Sequence, residues 1–175
     1  NTMQAMPLTF ALNERTNTTT VTCGRVKAAL HGMSADEFPQ VPTLDADKAT
    51  AINAQALREM VAAVSFAAER GADSARQVLR SVYATLGSGL VLAASDGFRV
   101  AEATRADISG PECAAVIPAR AADVLAKIID GADEVLMQIG NGRALFRVGQ
   151  YEMVTQLIEG QYPVYSGIMP RAHKT

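Results

Sequence analysis

Along most of the chain apolar and polar residues alternate in short runs, and the pattern changes to a helical spacing at two places only. The runs "LTFAL" (8–12) and "TTTVTCGRVKAAL" (18–30), joined by the polar "NERTNT", predict a β-hairpin. "HGMSADEFPQVP" (31–42) follows, rich in turn formers and carrying two prolines, and reads as a linker or domain boundary.

The first helical pattern places Leu57, Met60, Val61, Val64 and Ala68 on one face, with Asn53 as N-cap and Gly71 as the stop. Three strand candidates come next, 76–86, 89–95 and 98–106, separated by "GSG" and "DG", and predict an antiparallel meander. The order then recurs. A short strand "AAVI" leads through Pro118 into a helix with Ala121, Val124, Leu125 and Ile128 on one face, closing near Gly131, and "EVLMQIG", "RALFRVG" and "YEMVTQLIEG" supply three more strands.

With a weaker strand inside "TLDADKATAIN" before the first helix, the unit is β-α-β-β-β, twice over. Each copy, of roughly 60 residues, leaves a helix face and a sheet face to be covered by its twin. The predicted fold is α+β: two helices side by side on a curved, mostly antiparallel eight-stranded surface.

Composition narrows the function. Of 175 residues 49% are hydrophobic, which suits a packed globular protein, and the formal charge of −2 opposes nucleic-acid coating by bulk charge while leaving room for a local basic stripe. No apolar run is long enough to cross a bilayer, so a soluble, cytoplasmic protein with no membrane partner is expected. Cys23 and Cys113 lack zinc-site spacing and read as unpaired thiols; no cofactor or metal is implied. An enzyme would have to use Ser88, or Ser95 beside Asp96, with only His31 and His173 as bases, neither in a nucleophile elbow or metal motif. The chain opens without methionine and closes on "MPRAHKT", so it is expected to be a piece of a longer protein.

The strings "DEFPQVP", "NAQALREMVAAVSFAA", "ASDGFRVAEA", "IPARAADVLAKII", "ALFRVG" and "LIEGQYPVYSGIMP" resemble, in order and spacing, the bacterial DNA polymerase III beta subunit family, the replicative sliding clamps. The resemblance implies the DNA clamp fold, with 1–42 the closing hairpin of a first domain plus linker, 43–169 the middle domain, and 170–175 the start of a linker to a third. It implies a non-catalytic processivity factor, two protomers of which close head to tail into a ring around duplex DNA. Such a ring needs weak, mobile phosphate contacts and no base readout. Its implied partners are duplex DNA, DNA polymerase III alpha, clamp-loader subunits and other clients carrying a clamp-binding motif. The fragment itself is expected to be monomeric or weakly associated.

The site residues implied by the resemblance fall in two groups. Arg58, Arg76, Arg120 and Lys127 would face DNA, diluted by Glu59 and Asp123. Leu79, Ser95, Gly97, Phe98, Arg99, Val100, Pro163 and Ile168 would form half of a cleft for client peptides. Taken as local sequence alone, "SDGFR" is a good hairpin turn, and only the family likeness makes it a recognition wall. Phe98 and Ser95 stand where the family commonly has histidine and threonine, which bears on peptide preference. An interaction module of this fold that never closes a ring is the other reading.

Overall fold

The computed structural model describes residues 6–71, 74–167 and 169, the side chains of 74–76 excepted. The chain forms two compact units that meet in sequence between Val41 and Pro42.

The first unit is a three-stranded meander, β1 (Leu8–Asn13), β2 (Thr18–Cys23) and β3 (Val26–His31), where a two-stranded hairpin was expected. The difference lies at Gly24, whose φ of +57° turns the second apolar run back on itself so that Cys23 pairs with Val26. Glycine meets no Cβ penalty there, and the pattern of alternation on either side of it is uninterrupted.

The second unit contains both repeats. Its strands are β4 (Thr50–Asn53), β5 (Ser81–Leu86), β6 (Leu90–Ser95), β7 (Val100–Arg105), β8 (Cys113–Pro118), β9 (Glu134–Gly140), β10 (Arg143–Val148) and β11 (Tyr151–Gln156), and its helices are α1 (Ala54–Ser65) and α2 (Ala119–Ile128). The eight strands form two four-stranded antiparallel sheets, ordered β7-β6-β5-β8 and β11-β10-β9-β4. Each meander therefore takes its fourth strand from the other repeat. Because β4 and β8 run directly into α1 and α2, the exchange ties both helices to one core, built around Ile52, Leu57, Val64, Val82, Leu90, Leu125, Val135 and Phe146. No described helix is long and apolar enough to cross a membrane.

Local signals account for most boundaries. The Asn53 side chain accepts from the Ala56 N–H at 2.9 Å and caps α1 as its sequence predicts. Asn141 and Gly142 both have positive φ, 51° and 69°, in the two-residue turn between β9 and β10.

Three expectations need correction. The run 76–80 is not strand: Ser74–Arg80 forms a 3-10 segment, held by the Glu69 N–H donating to the Leu79 carbonyl at 2.8 Å and by the Ser81 hydroxyl on the Val78 carbonyl. Helix α1 stops at Ser65, although Ala67 and Ala68 beyond it remain buried. In α2 the buried stripe is Ala119, Ala122 and Leu125, continued by Ile129, while Val124 is 42% exposed. The apolar arc of α2 is wider than the strip its neighbours cover, so spacing alone leaves the phase open.

A candidate recognition turn, a tyrosine wall and a helix face

The turn between β6 and β7 spans 96–99, closed by the Ser95–Val100 pair, so Asp96 and Gly97 are the first half of a four-residue loop and not a two-residue hairpin turn. Four hydrogen bonds determine its shape. Asp96 Oδ1 accepts from the Phe98 N–H at 2.9 Å and the Arg99 N–H at 3.0 Å, and Ser95 Oγ accepts from the Gly97 N–H at 3.0 Å while donating to the Arg99 carbonyl at 2.8 Å. The Phe98 and Arg99 amides hold the Asp96 carboxyl below the usual carboxylate range. Gly97 takes φ +90°, a conformation that L side chains rarely adopt.

This network projects two side chains outward. Phe98 is 92% exposed at the tip. Arg99 is anchored by its Nε on Asp96 Oδ2 at 2.9 Å and carries its guanidinium 5.8 Å above the Phe66 ring, just past the end of α1. The Ser95 hydroxyl, one of the two alternative nucleophiles considered for an enzyme, is committed to the turn in both directions. His31 belongs to the first unit, and His173 lies outside the described residues.

A second wall comes from the chain after β11. The Ile158 N–H donates to the Val116 carbonyl at 2.8 Å and docks this segment on β8. Gly160, at φ +127°, passes so close to the 3-10 segment that a Cβ there would stand 3.1 Å from Val78 Cγ1. Tyr162 then stacks on Tyr83 at 5.0 Å between centroids, and Tyr165 meets Tyr162 edge-on at 6.3 Å. Tyr83, Ala93 and Glu102 are cross-strand neighbours on the outer face of their sheet, and Ser95 and Val100 stand on the same face two residues along. The tyrosine wall covers that face, which explains why Ala93 and Ser95 are buried although they point away from the helices.

Burial raises the Tyr162 and Tyr165 phenols, and the Glu102 carboxylate raises Tyr165 further. An open groove of about 460 Å³ runs along the wall, lined by Tyr83, Val116, Gly160, Pro163 and Tyr165 among others. Of the residues expected in a cleft, Ser95, Gly97, Phe98, Arg99 and Val100 share the turn. Pro163 follows Tyr162 and is exposed, Leu79 is half-buried beside the Val78–Gly160 contact, and Ile168 lies outside the described residues. Phe66, Tyr83 and Tyr162 escaped the sequence reading. Their positions give no periodic signal, and only contacts distant in sequence bring them to the turn.

The helix face opposite the core is less positive than expected. Arg58 pairs with Asp130 at 2.8 Å and Arg70 with Asp123 at 2.6 Å. Burial pulls the Asp123 carboxyl upward, but hydrogen bonds with Arg70 and Ser65 outweigh it and keep the group below its ordinary value. Arg58, Lys127, Asp123 and Asp130 all border one groove of about 550 Å³ between α1 and α2. Arg120 is exposed at the other end of α2, and Arg76 sits in the 3-10 segment with its side chain outside the described residues.

Comparison with solved structures finds the same fold in DNA clamp proteins. A DNA polymerase sliding clamp from Bacillus subtilis superposes with a TM-score of 0.78 at 23% identity, over 95% of this chain and 45% of that one. The DNA polymerase III subunit beta from Pseudomonas aeruginosa gives 0.77 at 24%, over 95% and 46%. In sequence, the beta sliding clamp of Synechococcus elongatus is 31% identical over 159 residues, covering 87% of this chain and 42% of its own length. That of Staphylococcus epidermidis is 26% identical over 159 residues, covering 89% and 42%. The chain thus spans less than half the length of these relatives. Residues 51–164, from β4 to the tyrosine wall, match the family model described as DNA polymerase III beta subunit, central domain, and the chain belongs to that family.

Proposed function

We propose that this chain is part of a replicative sliding clamp: a non-catalytic processivity factor that encircles duplex DNA as a homodimeric ring in the bacterial cytoplasm. In this reading the ring tethers the polymerase alpha subunit, the clamp loader and other clients. The cleft on the middle domain comprises Leu79, Ser95, Gly97, Phe98, Arg99, Val100, Pro163 and Ile168, and Arg58, Arg76, Arg120 and Lys127 face DNA.

The observation that carries the reading is the meeting of two segments remote in sequence. The hydrogen-bonded 95–99 turn and the 158–163 segment lie against one outer sheet face, with Phe98 and Pro163 both exposed. A rigid turn with an aromatic tip, an aliphatic-stemmed cation and an adjacent apolar groove suits a short peptide with apolar anchors. Backbone rigidity favours binding because little of the wall has to be ordered when the peptide arrives.

The test is an NMR titration with a short Gln-x-x-Leu-x-Phe peptide and an alanine-substituted control. The expected result is shifts concentrated at 97–100, Leu79 and Pro163 with the first peptide only. Equal shifts with both peptides, or shifts confined to other faces, would overturn the cleft assignment.

A further inference from the structure

Phe66 is 56% exposed, yet Val64, Ala67 and Ala68 around it are buried. The backbone that carries it is held on both sides. The Ala67 and Ala68 N–H groups donate to the Val64 and Ser65 carbonyls at 2.9 and 3.2 Å, and Arg70 Nη2 donates to the same Ser65 carbonyl at 2.8 Å. Arg70 Nη1 in turn reaches Asp123 on α2 at 2.6 Å. The end of α1 is therefore a fixed post, and the Phe66 ring is the part of it left open to a neighbour.

That neighbour is the guanidinium of Arg99, whose central carbon stands 5.8 Å from the ring centroid. A cation over an aromatic face is attracted by the ring quadrupole. Arg99 Nε is held at the same time by Asp96 Oδ2 at 2.9 Å, and Asp96 is itself fixed by the Phe98 and Arg99 amides. Two independent attractions, one from the turn and one from α1, thus hold the charged tip. The aliphatic stem of Arg99 spans the distance from the turn to that tip and offers an apolar edge next to Val100.

Resting on the reading of the 95–100 turn as a wall of the peptide cleft, we infer that Phe66 is a positioning residue for that cleft. Its ring tethers the Arg99 guanidinium so that the stem, and not the charge, is presented to the client peptide. A released guanidinium would swing toward the client and favour a carboxylate there, because its planar fork pairs with carboxylates. The tether therefore keeps the wall suited to apolar anchors and indifferent to acidic residues between them. Helix α1 takes part in client recognition through its last turn, without touching the peptide.

The experiment measures affinities of the whole chain, by NMR titration, for Gln-Ala-Ala-Leu-Ala-Phe and for three versions that carry aspartate in place of one alanine. It compares the unaltered protein with Phe66→Leu, Phe66→Tyr, Arg99→Met and the Phe66→Leu, Arg99→Met double variant, each followed by urea unfolding. Phe66→Leu should weaken the alanine peptide by about two- to fivefold, the range of an exposed cation–π contact, and shift selectivity toward at least one aspartate peptide. Phe66→Tyr keeps a ring and should keep both affinity and selectivity. Arg99→Met keeps a stem without a charge, so in that background Phe66→Leu should change neither quantity.

Peptide shifts at 97–100 together with unaltered affinity and selectivity in Phe66→Leu would overturn the inference and leave the cleft intact. An equal loss from Phe66→Leu with and without the Arg99 charge would overturn it as well, since Phe66 would then act by another route. Absence of peptide-induced shifts at 97–100 in the unaltered chain would overturn the cleft reading itself, and this inference with it.

Discussion

Tyr162 lies over Tyr83 with ring centroids 5.0 Å apart and planes 7° from parallel, joining the segment after the last strand to the middle of a sheet from the first repeat. That stack joins one wall of the proposed cleft to the sheet whose β6–β7 turn forms the other. Replacing Tyr83 by alanine removes a contact worth about 1 kcal/mol beyond the buried area. Lower stability in urea unfolding and faster amide exchange at 160–166 are expected, and unchanged exchange there would show that Ile158 alone holds the segment.

The Tyr162 hydroxyl is buried beside the Ser95 backbone without a hydrogen-bond partner in acceptable geometry. A buried donor left unpaired costs roughly 1–3 kcal/mol. Tyr162→Phe should therefore keep the stack and raise stability by about 1 kcal/mol in the same unfolding assay. A loss of stability would mean that the hydroxyl has a partner in solution.

Asp96 sets the pH response of the turn. Its folded pKa lies below the unfolded value of about 3.9, so its contribution is complete above that pH and is lost as pH falls through the folded pKa. The Phe98 and Arg99 amide resonances should move together with a midpoint below about 3.9, and in Asp96→Asn that titration should vanish while the turn persists. A midpoint above 3.9 would contradict the geometry.

Gly160→Ala combines an unfavourable φ of +127° with a Cβ 3.1 Å from Val78 Cγ1. A destabilisation of about 1–2 kcal/mol is expected, with weakened binding of the cleft peptide. Calorimetry of unfolding and the peptide titration check the two effects separately.

Asn53→Ala removes the cap of α1 and should cost about 1 kcal/mol without altering the turn or its peptide. It serves as a stability control: a comparable loss of peptide affinity in this variant would mean that affinity reports global stability and not the cleft.

How much of this was legible in the chain differs by element. The duplicated β-α-β-β-β order, the Asn53 cap and the hairpin turns follow from alternation, capping chemistry and glycine placement within a few residues. The 95–99 turn was visible as a turn, and its proposed role as a recognition wall came only from the likeness to a known family. Its four-residue geometry depends on where β6 and β7 stop pairing, which the Asp-Gly signal does not encode.

Tertiary structure decided the rest. The exchange of β4 and β8 between sheets, the buried phase of α2, the 3-10 turn in place of strand at 76–80, the Tyr83–Tyr162 stack and the meeting of Phe66 with Arg99 all depend on partners far apart in sequence. Periodicity tells which residues want to leave water, because that preference belongs to each side chain. Which surface receives them depends on how the two repeats close on one another, and only the folded core contains that choice.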